Sequence, residues 1–245
     1  MQFLQFGLST ELVRNVQRLG YTDPTPIQQQ AIPAALTGSD LVATAQTGTG
    51  KTAAFLLPIL QMLGNNKGKP GTRVLILSPT RELANQTEAA CREFAPKGIS
   101  CTAIIGGAGY KRQMDSLRRG ANIIIATPGR LIDFMDQGLI DFKGLTHLVL
   151  DEADRMLDMG FLPSIKRISK VIPAKRQTLF FSATMSAEIE HIAYSMLNDP
   201  TYVEYKKNFE KEYIRQFLAN GLNNTFTFPL DDRTFICRID KGDWG

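Results

Sequence analysis

The chain has 245 residues, 43% hydrophobic and 21% charged, enough for one substantial core or one domain with a small appendage, and its 28 Lys and Arg against 24 Asp and Glu leave a net charge of +4 that permits a polyanionic partner without requiring one. An odd count of 3 cysteines (Cys91, Cys101, Cys237) without metal-ligand spacing, and 2 histidines far apart, exclude a disulfide scaffold and a thiolate or imidazole metal cage. No apolar run approaches the roughly 20 residues that cross a bilayer, so a membrane span is excluded and a cytoplasmic protein is expected.

Short β-rich runs alternate with helical ones, with strands expected at 40–45, 73–78, 101–105, 122–126, 147–151, 177–182 and 201–205. This alternation signals an α/β fold, a parallel sheet with helices on both faces. Ligands of such sheets gather beyond the C-terminal strand ends, so the loops after Ala45, Ser78, Ala126, Asp151 and Ser182 are expected to share one functional rim.

Ahead of the first strand, Thr25-Pro26-Ile27-Gln28 is a helix start, with Thr25 as N-cap, proline at the first helical position and Gln28 closing a capping box. A glutamine amide also offers the donor and acceptor that read an adenine edge, and both roles stay open. After Leu41-Val42-Ala43 comes Ala45-Gln46-Thr47-Gly48-Thr49-Gly50-Lys51-Thr52, which opens a helical run through Leu60 in the manner of a phosphate-binding loop. Gly48 and Gly50 let backbone amides approach phosphate, Lys51 places an ammonium on the terminal phosphates, and the Thr52 hydroxyl suits Mg²⁺. The composition of residues 64–71 leads one to expect a turn-rich surface loop there.

Further along, Arg81, Gly106, Gly107, Thr127, Gly129 and Arg130 combine cationic forks, hydroxyls and exposed amides, the groups that contact phosphates and 2′-hydroxyls without reading bases. Each also has an ordinary structural reading: a cap at Thr127-Pro128, an ion pair at Arg81, a turn at Gly106-Gly107. The apolar run His147-Leu148-Val149-Leu150 then delivers Asp151-Glu152-Ala153-Asp154, paired acids at the end of a buried strand, which suggest a metal site. Asp151 would hold the waters of Mg²⁺ and Glu152 would orient and deprotonate an attacking water. Loop and acids together describe a nucleotide triphosphatase.

The ordered set of Phe3, Gly20-Tyr21 through Gln28, the phosphate loop, Pro79-Thr80-Arg81-Glu82-Leu83, Gly106-Gly107, Thr127-Pro128-Gly129-Arg130, the acidic run and Ser182-Ala183-Thr184 resembles the DEAD-box ATP-dependent RNA helicases over residues 3 to about 205. The resemblance implies a RecA-like P-loop NTPase domain at 1–205 that uses ATP and Mg²⁺. It assigns the nucleotide to Phe3, Gln28, Thr47, Gly48, Thr49, Gly50, Lys51 and Thr52, with Phe3 stacking on adenine and Phe6 left to the core. Catalysis goes to Lys51, Asp151 and Glu152, and the metal to Thr52 and, through water, Asp151. RNA goes to Pro79, Thr80, Arg81, Gly106, Gly107, Thr127, Pro128, Gly129 and Arg130, and coupling to Asp154, Ser182 and Thr184. The family also uses a second RecA-like domain, in cis or in trans, to supply arginine fingers; too little chain follows Thr184 to hold one, so this is expected to be the first domain, weakly active or inactive alone. The alternative is a one-domain nucleotide-gated RNA- or protein-binding module with negligible turnover.

Residues 206–245 are aromatic-rich and resemble no family. Phe209, Tyr213 and Phe217 stripe one face of an expected short helix, and 224–228 with 233–239 read as a hairpin around Pro229-Leu230-Asp231-Asp232. Three alternatives stand for this appendage: docking on the first domain, a surface for a protein partner or self-association, and disorder.

Overall fold

The computed structural model describes residues 2–65, 71–205, 225–230 and 233–238. The chain divides into two units, Met1–Lys206 and Lys207–Gly245. The first opens with a 3₁₀ turn at Phe3–Phe6, α1 (Thr10–Arg18) and α2 (Pro26–Leu36). There follow β1 (Leu41–Ala45), α3 (Lys51–Asn65), β2 (Val74–Leu77), α4 (Arg81–Phe94), β3 (Cys101–Ile104), α5 (Tyr110–Arg118), β4 (Ile123–Ala126) and α6 (Pro128–Asp136). Next come β5 (His147–Leu150), α7 (Ala153–Asp158), α8 (Leu162–Ser169), β6 (Gln177–Ser182), α9 (Ala187–Met196) and β7 (Thr201–Tyr205).

The strands lie in the order β3-β4-β2-β5-β6-β1-β7, and every neighbouring pair is parallel. Alternation along each strand divides the interior into two cores. Val74 and Ile76 of β2, Ile123 and Ile125 of β4, and Leu179 and Phe181 of β6 face the side covered by α1, α2, α3 and α4. Leu75, Leu77, Ile124 and Phe180 face the side covered by α6, α8 and α9. Burying one such aliphatic or aromatic side chain is worth roughly 1.5–3 kcal/mol, which is why strands apolar on both faces stay in the middle of the sheet. The seven expected strands are thus all present, and among the described residues no helix is long and apolar enough to cross a membrane.

In the second unit, β8 (Thr225–Leu230) and β9 (Arg233–Arg238) pair antiparallel, with Leu230 opposite Arg233. The expected hairpin is there, but its ladder runs on through Pro229 and Leu230, which the sequence assigned to the turn. In a two-stranded hairpin each strand has an outer edge where no ladder donor is needed, so Pro229 can sit opposite Thr234. The helix expected over Phe209, Tyr213 and Phe217 lies outside the described residues.

Candidate functional site

Between β1 and α3 the backbone turns sharply at Gly48 and Gly50, whose φ values of +80° and +94° lie in the left-handed region that glycine enters freely. A Cβ at Gly50 would also collide with Nε2 of Gln28, whereas nothing stands within 4 Å of where a Cβ on Gly48 would be. The loop is therefore closed on the Gln28 side and open at Gly48. Lys51 begins α3 at 6% exposure, and its Nζ has no hydrogen-bond partner among the described residues. A buried ammonium without partners costs several kcal/mol, so this position fits an anion supplied from outside.

The acids arrive beside it from β5. Asp151 and Glu152 are buried, and the Asp151 carboxyl is pushed up to about 6, chiefly by burial; the Lys51 ammonium opposes that rise and the Glu152 charge adds to it. Glu152 has φ 52° and ψ 57°, a left-handed conformation that costs a non-glycine residue on the order of 1 kcal/mol. Its Oε1 accepts from the Thr47 hydroxyl at 3.5 Å, joining the acidic run to the phosphate loop, and its Oε2 meets Arg155 Nη1 at 3.3 Å. Arg155 had no role in the sequence reading; only its spacing of three from Glu152 hinted at the pair.

Burial of the Asp151 carboxyl couples stability to pH. Between about pH 4 and 6 the folded protein holds a proton that the unfolded chain has released, so this contribution is present below pH 4 and is lost as pH rises through 6. Asp151→Asn is expected to stabilise the nucleotide-free protein by roughly 2–3 kcal/mol at neutral pH and hardly at all near pH 4. Urea unfolding of parent and variant at the two pH values checks it; a difference independent of pH would contradict it.

Asp154 lies in the first turn of α7, and its Oδ2 accepts from the Ala183 amide at 3.0 Å, the Thr184 amide at 2.9 Å and the Thr184 hydroxyl at 3.1 Å. The loop after β6 is thereby tied to the acidic run. Ser182 is fully buried and its Oγ has no hydrogen-bond partner among the described residues, so it does not join this contact through its hydroxyl.

The N-terminal segment differs from expectation. Phe3 is 2% exposed, as much a core residue as Phe6, and the two rings meet edge to face at 6.0 Å. Its ring offers no open face for stacking, because the packing of the 3₁₀ turn against the core uses it. The exposed ring of this segment is Tyr21, at 39%, set edge-on to Phe94. A lone tyrosine after Gly20 carries no periodic signal, and the sequence reading gave it no role. Gln28 is fully buried: its Oε1 accepts from the Thr25 amide at 2.9 Å, as a capping box requires, and its Nε2 donates to the Gly50 carbonyl at 3.1 Å. The capping glutamine thus also braces the phosphate loop.

Past the end of β2, a groove of about 490 Å³ is lined by Pro79, Thr80, Arg81, Gly106, Gly107 and Thr127, with Glu82, Met159 and Phe161. Thr80 caps α4 by accepting from the Leu83 amide at 3.3 Å, and Arg81 Nη1 donates to the Gly106 carbonyl at 3.2 Å. Met159 and Phe161 come from the turn between α7 and α8, and no sequence motif marks them. Arg130 does not line the groove: its guanidinium lies 4.9 Å from the Tyr110 ring centroid and 5.2 Å from that of Phe134, with Asp133 3.8 Å away. Pro128 is buried at the start of α6, and Gly129 beside it is exposed.

The family model of the DEAD/DEAH box helicases matches residues 25–192. The chain belongs to the DEAD/DEAH box helicase family. It is 47% identical over 204 residues to DEAD-box ATP-dependent RNA helicase 40 of Arabidopsis thaliana, covering 82% of this chain and 19% of that protein. With ATP-dependent RNA helicase CshA of Limosilactobacillus reuteri the identity is 44% over 223 residues, covering 90% of this chain and 44% of the relative. A solved DEAD box protein from the hyperthermophile Methanococcus jannaschii superposes with a TM-score of 0.81 at 32% identity, over 91% of this chain and 64% of that one. The chain spans less than half the length of these two curated relatives, and within the DEAD-box family it is the N-terminal RecA-like domain.

Proposed function

We propose that this domain binds ATP with Mg²⁺ and the backbone of RNA, and that it hydrolyses ATP and opens RNA duplexes once a second RecA-like domain closes over it. The observation that carries the reading is the buried Lys51 ammonium without a protein partner, at the head of a glycine loop that touches the acidic run through Thr47 and Glu152. Lys51 would take the terminal phosphates, with the amides of Thr47, Gly48, Thr49 and Gly50 around them. Thr52, and Asp151 through water, would hold Mg²⁺, an ion that keeps most of its waters and needs few protein ligands. When bound, Mg²⁺ neutralises charge on the phosphates. Glu152 would orient the attacking water and accept its proton. Asp154, tied to Ala183 and Thr184, would couple this centre to the loop after β6.

The groove would receive phosphates and 2′-hydroxyls on Arg81, Thr80, Thr127 and the Gly106-Gly107 amides, without reading bases. In this reading Gly107→Ala weakens RNA binding several-fold and leaves nucleotide affinity alone, because φ is +72° there and the new Cβ would collide with the Arg81 guanidinium. Fluorescence anisotropy with a single-stranded RNA measures it; equal affinities would remove Gly107 from the interface.

For the base, Gln28 retains one amide N–H and one lone pair beyond its bonds to Gly50 and Thr25, and Tyr21 is the exposed ring in the same segment. ADP is expected to bind clearly tighter than GDP, and Tyr21→Ala to weaken ADP, whereas Phe3→Ala should lower the melting temperature instead. Calorimetry and thermal melts separate these outcomes, and indifference to the base would leave Gln28 only its capping and bracing roles.

The function is tested by steady-state ATPase assays with and without RNA, on the chain alone and with a helicase second domain added. RNA-stimulated turnover only with the second domain is expected. Binding without turnover in every mixture would favour the one-domain gated module, the weaker reading because the relatives are named as ATP-dependent RNA helicases.

A further inference from the structure

Among the described residues β3 is an edge strand, and its outer side is met by side chains instead of another strand. Glu88 Oε1 accepts from the Ala103 amide at 3.1 Å, while Gln113 accepts from the Ile105 amide at 3.1 Å and donates to the Ile105 carbonyl at 3.0 Å. These contacts close the edge against β-pairing. What the edge presents instead is a polar cavity of about 440 Å³ between α4 and α5, lined by Asn85, Glu88, Arg92, Arg112, Ser116 and Arg119 among others.

Its charge is unbalanced. Arg92 is paired with Glu88 at 2.8 Å, but among the described residues Arg112 has no carboxylate within ion-pair distance, and Arg119 donates to the neutral Ser116 hydroxyl at 2.8 Å. Arg112, Ser116 and Arg119 recur at i, i+4 and i+7, so the two unpaired guanidinium groups share one face of α5, roughly 10 Å apart along its axis. Ala108 and Gly109 also line this cavity and directly follow Gly106 and Gly107, which line the groove beside Arg81, so one concave surface begins where the other ends. Among the described residues the lining contains no aromatic side chain on which a base or an apolar peptide residue would stack.

We propose that an RNA strand leaving the Gly106-Gly107 loop continues along the edge of β3, with its phosphates held by Arg112 and Arg119. This extension rests on the RNA reading of the groove. Contact here is to the backbone, so it adds affinity according to strand length and not base sequence.

The test uses the 245-residue chain at low salt, with fluorescein-labelled single-stranded RNAs of about 6 and about 12 nucleotides, inside the range of known single-strand site sizes. Combining Arg112→Gln with Arg119→Gln is expected to weaken the longer RNA roughly five- to tenfold and to make its salt slope shallower by about 1.4, near 0.7 for each lost phosphate contact, with the shorter RNA unaffected. The single change Arg112→Glu, at an exposed position that makes no side-chain hydrogen bond among the described residues, should have the same length-selective effect and guards against a misfolded double variant. Equal loss for both lengths, no loss for either, or binding of polyglutamate that these changes abolish while RNA binding persists, would overturn the proposal. Arg81→Ala separates the two readings. If it leaves the short RNA unaffected, the groove reading fails; if it weakens both lengths while the α5 variants weaken neither, only the extension fails.

Discussion

Lys51→Ala is expected to reduce nucleotide affinity by at least about 100-fold, and Glu152→Gln to keep binding while hydrolysis falls by roughly 10²–10⁴. The first effect follows from burial: Lys51 is 6% exposed and its ammonium makes no hydrogen bond among the described residues, so charge-assisted bonds to phosphate form there sheltered from bulk water and without breaking a bond to protein. The second follows from shape, because Gln replaces Glu152 almost isosterically and can keep the contacts to Thr47 and Arg155, while an amide cannot accept the proton of an attacking water. Calorimetry with ADP and Mg²⁺ reads binding, and single-turnover hydrolysis with RNA and a second domain reads chemistry. Parental turnover in Glu152→Gln would remove Glu152 from the role of base. Parental ADP affinity in Lys51→Ala would place the phosphates elsewhere.

Asp154→Ala should separate ATP binding from strand opening. One carboxylate oxygen accepts three bonds from Ala183 and Thr184, and bonds to a charged acceptor are worth about 1.5–3 kcal/mol each before discounting for the exposed Thr184. A loss of roughly 2–4 kcal/mol is expected, which for a domain of this size lowers the melting temperature by on the order of 5–15 °C. Lys51 and the phosphate loop are untouched, so ADP affinity at a temperature where the variant is folded should stay near the parental value, and unwinding with a second domain should be lost. Asp154→Asn, which keeps an acceptor oxygen without the charge, should fall between the two. A variant that unwinds RNA normally would reduce the contact to a structural tie.

Much of this domain could be read along the chain. A parallel strand buried on both faces is a short apolar run bounded by turn residues, so Val74–Leu77, Ile123–Ala126 and His147–Leu150 were visible without any tertiary contact. The phosphate loop was visible for a related reason: positive φ at Gly48 and Gly50 is a local demand that only glycine meets cheaply. The hairpin was also expected, though not the extension of β8 through Pro229, since proline at an outer edge looks the same in sequence as proline in a turn.

Most of what the chain did not disclose is packing, and much of it joins segments far apart in sequence. Phe3 and Phe6 look alike in sequence, and only packing shows that both rings are used by the core. Gln28 reads as a helix cap; its second bond, to the Gly50 carbonyl, appears only when α2 lies against the phosphate loop. Arg130 reads as a phosphate ligand, yet α5 and α6 bring Tyr110 and Phe134 against its guanidinium. Met159 and Phe161 join the groove because the turn between α7 and α8 lies beside it.

By itself, then, the sequence determined the elements, the sites of strain-tolerant glycine and the chemical types available at each strand end, because propensity, periodicity and φ are set by neighbours a few residues apart. The tertiary structure decided which of those groups meet. The order β3-β4-β2-β5-β6-β1-β7 separates β1 from β2 by two strands, yet brings the loop after β1 within reach of the acids after β5, so that Thr47 touches Glu152. That order is chosen by the packing of two whole cores against one sheet, a balance of many burial energies that no local window of sequence contains.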